Sequence, residues 1–273
     1  MPQKKFQVTF NQLYKLNGPF IMTSIGRPES GKTSFHTYCM YNMGHIFNEV
    51  YAICGSPSAG TDYYFIKKGN LSRTFNKKFI VSILAYAEDN PDKQFALFLD
   101  DLVGTVDMLD DVIKALVSKF RHYNMTLFFG LQSVRQGVPT LLKDATTYAV
   151  MFTQSTGISM NAVHEAFGEE IPKNIFFPLM RKMPKFCFLF YDNYNKMEPV
   201  QAHEPDPSIE EESQIFEQFY ADKKLHDKHV RSGKIVPGFL PERYTIARIP
   251  GKDIPKFKLV SYNNSISEAY KGE

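Results

Sequence analysis

The chain has no tryptophan, only three cysteines among 273 residues, and no apolar run approaching the roughly 18 residues that a membrane span requires. Cys39, Cys54 and Cys187 stand far apart and in no paired metal-ligand spacing. They read as buried or free thiols in a reducing compartment, which excludes a disulfide frame and a zinc module. His36 and His122 have no companion spacing either and read as satisfied core or surface histidines. The start, Met1-Pro2-Gln3-Lys4-Lys5, runs into mixed polar residues, so no secretory apolar segment is expected. Neither sign of charge dominates. With 32 Lys and Arg against 29 Asp and Glu, the net of +3 neither requires nor excludes a nucleic-acid partner, because a local patch outweighs the total. Internal repeats and low-complexity segments are also missing. What is present is apolar bulk: 43% of residues, with 24 Phe and 15 Tyr, enough for a full core without staples. The length suits one large α/β domain with additions or two modest domains.

The most informative segment is Gly26-Arg27-Pro28-Glu29-Ser30-Gly31-Lys32-Thr33, followed by Ser34. It fills every fixed position of the phosphate-binding pattern G-x-x-x-x-G-K-[ST], between an apolar run and a helical pattern. Backbone N–H groups at such a helix start have no partner inside the helix and can cradle phosphates. Lys32 would reach the β- and γ-phosphates of ATP, and the Thr33 hydroxyl would ligate Mg²⁺.

Apolar runs place the other elements. Residues 20–25 read as the strand entering the loop and 32–43 as the helix leaving it; further strands are expected at 49–54, 95–100, 125–131, 148–152 and 186–191, the last antiparallel at an edge. A helix is expected over about 106–121, and Lys67-Lys68 and Lys77-Lys78 flank a loop region between the second and third strands. Strands alternating with helix-length connections predict an α/β fold: a doubly wound, mostly parallel sheet flanked by helices, with ligands beyond the strands' carboxyl ends. Residues 1–197 form the expected core. Residues 198–273 form an extension, acidic over Glu204 to Glu217 and helical in the second half of that segment, then basic from Lys223, with eleven Lys or Arg against six Asp or Glu from Ala221 to Glu273. That tail reads as a DNA contact, a strap to a neighbouring subunit, or a solvated extension.

Asp100-Asp101 closes the run Phe95-Ala96-Leu97-Phe98-Leu99. The strand delivers Asp100 from a dry core to its end as the expected Mg²⁺ partner, with Asp101 as activator of the attacking water. The plainer alternative is a helix N-cap at Asp101 or a later residue. Gln132, directly after the 125–131 strand, reads as a water-positioning sensor or an ordinary strand-end residue. Arg135 could act as an arginine finger on its own or a neighbour's γ-phosphate, or be a solvated loop arginine; Arg121, Arg181, Arg243 and Arg248 are further finger candidates. Lys67-Lys68 and Lys77-Lys78 could touch DNA phosphates but more simply solubilise the surface. Tyr63, Tyr64 and Phe65 could stack on bases but fit core packing better.

Taken together, the phosphate loop, the Phe98-Leu99-Asp100-Asp101 strand end and Leu131-Gln132-Ser133-Val134-Arg135 resemble the poxvirus-type genome-packaging ATPases of large DNA viruses and virophages, within the FtsK–HerA group. The resemblance covers about residues 15 to 195. It implies a P-loop NTPase of the RecA/ASCE type that hydrolyses ATP with Mg²⁺. It further implies a homo-oligomeric ring, often a hexamer, with ATP between subunits and an arginine supplied in trans. Double-stranded DNA would be pumped into a preformed capsid, with capsid or portal-vertex proteins as partners and no membrane span. The setting would be a virion or a viral assembly site in the host cell, with the cytoplasm as the expected compartment. Lys32 and Thr33 match the nucleotide and magnesium contacts, Asp100 and Asp101 the acidic pair, and Gln132 the sensor. The tail after Met197 matches nothing residue by residue, and it shows no nuclease-type carboxylate cluster, which speaks against a large terminase. A P-loop kinase would need an Arg-rich lid that the sequence lacks. A nucleotide-switched structural scaffold in virion assembly is the rival of a different class.

Overall fold

Alternation within each apolar strand decides the two faces of the sheet. In β4 (Phe95–Asp100), Phe95, Leu97 and Leu99 pack into one core cluster, while Ala96 and Phe98 pack into the other. The same period-2 split holds for β5 (Met125–Leu131), where Leu127 and Phe129 face one way and Phe128 the other. Every residue of both strands is buried, which is why they read as continuous apolar runs.

The computed structural model describes residues 18–56, 58–102, 110–132, 140–183, 186–193 and 244–249. Its eight-stranded sheet has the order β3-β2-β4-β5-β1-β6-β7-β8, with β1 at Ile21–Ile25, β2 at Glu49–Cys54, β3 at Leu71–Ser72, β6 at Tyr148–Phe152, β7 at Cys187–Asp192 and β8 at Tyr244–Arg248. Neighbours from β3 through β6 pair in parallel, whereas β7 and β8 add antiparallel. β5 lies between β1 and β4, so the three strand ends expected to carry chemistry are adjacent. The fold is the predicted α/β one: a mostly parallel central sheet with helices on both faces.

One face is covered by α1 (Lys32–Met43) and by the segment containing α2 (Ala59–Asp62), through Phe35, Cys39, Met40, Met43, Tyr63 and Phe65. The other carries α3 (Lys77–Glu88), α4 (Asp111–Lys119), α5 (Thr140–Ala145), α6 (Gly157–Phe167) and α7 (Lys173–Lys182). Within the α1 face, the Phe98 and Phe128 rings stack at 4.4 Å with 10° between planes.

Several elements differ from expectation. The loop expected between Lys67-Lys68 and Lys77-Lys78 contains β3, and it runs into the twelve-residue α3, an element not expected, whose N-cap Asn76 accepts from the amides of Lys78 and Phe79 and whose Ile80, Ile83 and Ala87 are buried. The helix expected over 106–121 is described as Asp111–Lys119, capped by Asp110 through the amide of Val112. β7 is antiparallel as expected but is not the edge, since β8 pairs with it and Tyr244 stacks on Tyr191 at 4.8 Å. The helix expected in the second half of 204–217 lies outside the described residues.

Phe98→Ala should cost about 3–5 kcal/mol in chemical denaturation, because a buried ring is removed from a stack that cannot collapse. Val81→Ala, at a side chain 53% exposed on α3, should shift stability by less than ~0.5 kcal/mol. Equal effects in the two variants would contradict the described core.

Candidate active site

Gly31 has φ of 114°, a conformation that only glycine adopts without strain, and it turns the chain from the loop into α1. No side chain caps that helix and its first turn holds no acid, so its leading amides are left for an external acceptor. Lys32 lies 8% exposed inside the loop, where Nζ donates to the carbonyls of Gly26 at 2.7 Å and Arg27 at 3.1 Å. Burial pulls its ammonium below the ordinary lysine range, and the charges of Asp100 and Asp101 pull in the other direction. Ser30 Oγ is buried without a hydrogen-bond partner among the described residues. Arg27, Pro28 and Glu29 are exposed and, with Ser30 and Thr153, line an open cleft of about 410 Å³. Ser34 is half-buried in the first turn of α1. The loop's inner side is braced by the far end of the sheet: Phe186 N donates to Ser30 O at 3.3 Å, and Ile249 N to Phe186 O at 3.0 Å.

The acidic strand end meets this loop directly. Asp100 is buried at 3% exposure on the α1 face of β4, and Thr33 Oγ1 donates to its Oδ2 at 3.3 Å. Two hard oxygen donors therefore converge beside the loop lysine, the donor chemistry that suits Mg²⁺. Among the described residues no group of three or more His, Cys, Asp or Glu could hold a metal. A cation here would be held by the hydroxyl and the carboxylate, and by the phosphates of its nucleotide, the usual sparse protein ligation of Mg²⁺.

Asp101 follows with φ of 54°, a left-handed backbone rarely adopted by non-glycine residues, and its N–H donates to Gly130 O at 3.3 Å. Gln132 Nε2 donates to Asp101 Oδ1, so the strand-end carboxamide and the second acid are in contact. Asp101 caps no described helix; the cap of α4 is Asp110.

The sequence reading missed Gly130, Tyr63 and His36 as parts of the site. Gly130 lies beside Asp100 in register, and a Cβ there would come within 1.9 Å of Asp100 Oδ1. A glycine inside a seven-residue apolar strand was the available signal. Tyr63 OH donates to Asp100 Oδ2 at 2.9 Å and contacts His36 Nδ1 at 2.8 Å, while His36 Nε2 meets Ser24 Oγ at 2.9 Å. Burial, helped by Lys32, lowers His36 to about 4, so the ring is neutral near pH 7. Burial and then Asp100 push the Tyr63 phenol well up, which keeps it a donor.

Other candidates scatter. Arg135 and Arg243 lie outside the described residues. Arg121 is exposed over the Phe120 ring before β5, at the end of the sheet opposite the site, whereas Arg248 ends β8 next to Ile249, on the loop side. Arg181 is exposed on α7 beside Met180, whose carbonyl accepts from Thr153 Oγ1. Lys67 pairs with Glu49 and Lys77 with Asp110. Tyr63 and Phe65 are buried, so neither can stack on a base, while Tyr64 is exposed. His122 is exposed.

Asp101→Gly should leave thermal stability unchanged or raise it by up to about 1 kcal/mol, since glycine relieves the left-handed backbone. The same variant should lose nucleotide hydrolysis. A fall in stability of more than ~2 kcal/mol would instead make the carboxylate a structural cap.

No protein-family model matches the chain, and no curated protein sequence matches it. Solved structures do. The chain is similar to the genome packaging NTPase B204 from Sulfolobus turreted icosahedral virus 2 in complex with ATP-γS, at 15% identity over 70% of this chain and 99% of that one, with a TM-score of 0.50. The same protein in complex with AMP gives 14% identity, 70% and 100% coverage, and a TM-score of 0.51. B204, the DNA-packaging ATPase from Sulfolobus turreted icosahedral virus, gives 15%, 70% and 100%, and 0.50. At such identities the likeness is one of fold: over about 70% of its length this chain shares the architecture of these structures.

Proposed function

We propose that the chain is an ATP hydrolase that drives double-stranded viral DNA into a preformed capsid, working as a homo-oligomeric ring of the poxvirus-type packaging family. The observation that carries the reading is the convergence at adjacent strand ends. Lys32 and uncapped helix amides lie on one side, the Thr33–Asp100 contact is next to them, and the Asp101–Gln132 pair follows. The likeness in fold to B204, described as a genome packaging NTPase, supports the packaging role.

In this reading the loop amides and Lys32 hold the phosphates, and Gly26 to Ser34 supply the nucleotide cradle. Thr33 and Asp100 would hold Mg²⁺, which when bound offsets charge on the phosphate oxygens. Gln132 commits its N–H to Asp101, which leaves its carbonyl to accept from a water; Asp101 would take that water's proton as the water oxygen attacks the γ-phosphorus in line, while the bond from that phosphorus to the β,γ-bridging oxygen breaks and ADP departs, leaving phosphate. An arginine stabilises the developing charge, with Arg135 as our first candidate and Arg248 as the described residue whose backbone lies on the loop side. DNA contacts would be electrostatic and independent of sequence, as transport of a whole genome requires. Among the described residues no helix is long and apolar enough to cross a membrane. Capsid or portal-vertex proteins would be the docking partners, at the virion or its assembly site.

The test is steady-state ATP hydrolysis with and without long duplex DNA. We expect stimulation by DNA that weakens as salt rises, and a loss of about 100-fold or more in both Lys32→Ala and Asp101→Asn. Tight ATP binding without turnover under any DNA or capsid-partner condition would remove the hydrolase and favour a nucleotide-switched scaffold.

A further inference from the structure

The geometry points to Tyr63 as the positioning residue of Asp100, backed by His36 and Ser24 in one buried chain that aims the strand-end carboxylate. This inference rests on the nucleotide-site reading above and assigns roles to three residues outside the phosphate-loop and acidic motifs.

Proton accounting gives the chain a direction. Tyr63 has one proton and donates it to Asp100 Oδ2 at 2.9 Å. Its oxygen must therefore accept from His36, 2.8 Å away, which puts the ring proton on Nδ1. Nε2 of the neutral ring is then an acceptor, and Ser24 Oγ lies 2.9 Å from it. The Ser24 hydroxyl is also 3.0 Å from Phe129 O, so its single proton serves one of the two. With Ser24 turned to the ring, three successive donors point toward the carboxylate.

The chain is also a closed piece of architecture. Across the sheet, Asp100 and Ser24 are both register partners of Gly130, one from β4 and one from β1. His36 and Tyr63 complete the arch above that glycine, where a Cβ would meet Asp100 Oδ1 at 1.9 Å and His36 Cε1 at 3.1 Å. Ser24, His36, Tyr63 and Asp100 are all buried. The ring of Tyr63 is further fixed by Phe98 at 5.6 Å and Phe65 at 5.9 Å. Thr33 and Tyr63 thus donate to the same carboxylate oxygen from opposite elements, and removal of the phenol leaves Thr33 as the one described side chain donating to it.

The experiment uses the full chain and a fluorescent, non-hydrolysable ATP analogue, titrated with Mg²⁺. Tyr63→Phe should raise the Mg²⁺ concentration for half-maximal nucleotide binding by about 10–100-fold, as loss of an outer partner of a metal ligand does. Binding in EDTA should stay within about twofold of the parent, because the phosphate loop does not use the phenol. In an Asp100→Asn background the same substitution should add nothing, since it acts through that carboxylate. An unshifted Mg²⁺ midpoint, or equal losses with and without Mg²⁺, would overturn the assignment and leave Tyr63 as core packing. Should Tyr63→Phe not fold, 3-fluorotyrosine at position 63 gives a second reading. Its ¹⁹F resonance should move on addition of Mg²⁺ and the analogue in the otherwise unchanged chain and stay fixed with Asp100→Asn; a fixed resonance in both overturns the assignment. Lack of Mg²⁺-dependent analogue binding by the unsubstituted chain would overturn the site reading itself, and this inference with it.

Discussion

A carboxylate delivered by a dry strand must be met by donors, and much of this site follows from that requirement. Asp100 ends a strand of Phe, Ala and Leu, and its alternation turns it toward α1 rather than toward the face covered by α3 to α7. An unpaired ion in such a place would cost several kcal/mol. The donors come from different parts of the chain: Thr33 at the start of α1, and Tyr63 just after α2. The strand neighbours comply as well. The last inward row under α1 runs Cys54, Asp100, Gly130, Ser24 in register across β2, β4, β5 and β1, small or polar where the row beneath, Ala52, Phe98, Phe128 and Met22, is apolar. Space for the carboxylate and its partners is taken from what would otherwise be apolar packing.

The same face resolves how a lysine can be nearly buried beside a helix N-terminus, where positive charge is disfavoured. Lys32 is held by two loop carbonyls and by the fields of Asp100 and Asp101, against a desolvation that pulls its pKa down. Loop shape and lysine position are therefore one problem. The left-handed Gly31 aims the helix, the turned loop presents Gly26 and Arg27 carbonyls inward, and the ammonium ties them together. Phe186 and Ile249 then fix the loop's inner side by backbone contacts from the antiparallel end of the sheet. A strand that comes from beyond residue 197 in this way abuts the phosphate loop, which no local motif announces.

Much of the core was legible because its strands are covered on both faces and so appear as unbroken apolar runs. β2, β4, β5 and β6 occur at the expected residues, and α1 spans the expected range after its glycine. The misses have physical causes. α3 begins with two lysines that read as a solubilising surface pair and drew no helix expectation, although Asn76 as cap and the spacing of Ile80, Ile83 and Ala87 carried the signal. β3 has two residues, too few for a period, and β8 is a short run inside a mainly basic stretch; pairing defines both. The loop and the acidic pair were legible as motifs because their chemistry is local. Gly130, His36 and Tyr63 were not, because their meaning lies in register and in contacts between distant segments.

The backbone at Asp101 connects stability to chemistry. A non-glycine residue at φ of 54° stands in a conformation disfavoured by roughly 1–2 kcal/mol, yet neighbours on both sides hold it there. Its N–H reaches Gly130 O, its side chain is engaged by Gln132, and a Cβ at Gly55 would lie 2.6 Å from its carbonyl oxygen. The turn separates two acids that extended backbone would send to opposite faces of the sheet. Asp100 keeps the α1 face with Thr33, while Asp101 leaves the strand line and meets Gln132 at the end of the adjacent β5. One strained residue thus lets consecutive carboxylates meet different partners, and the strain persists because the groups that hold it, Gly130 O and Gln132 Nε2, both belong to the end of β5.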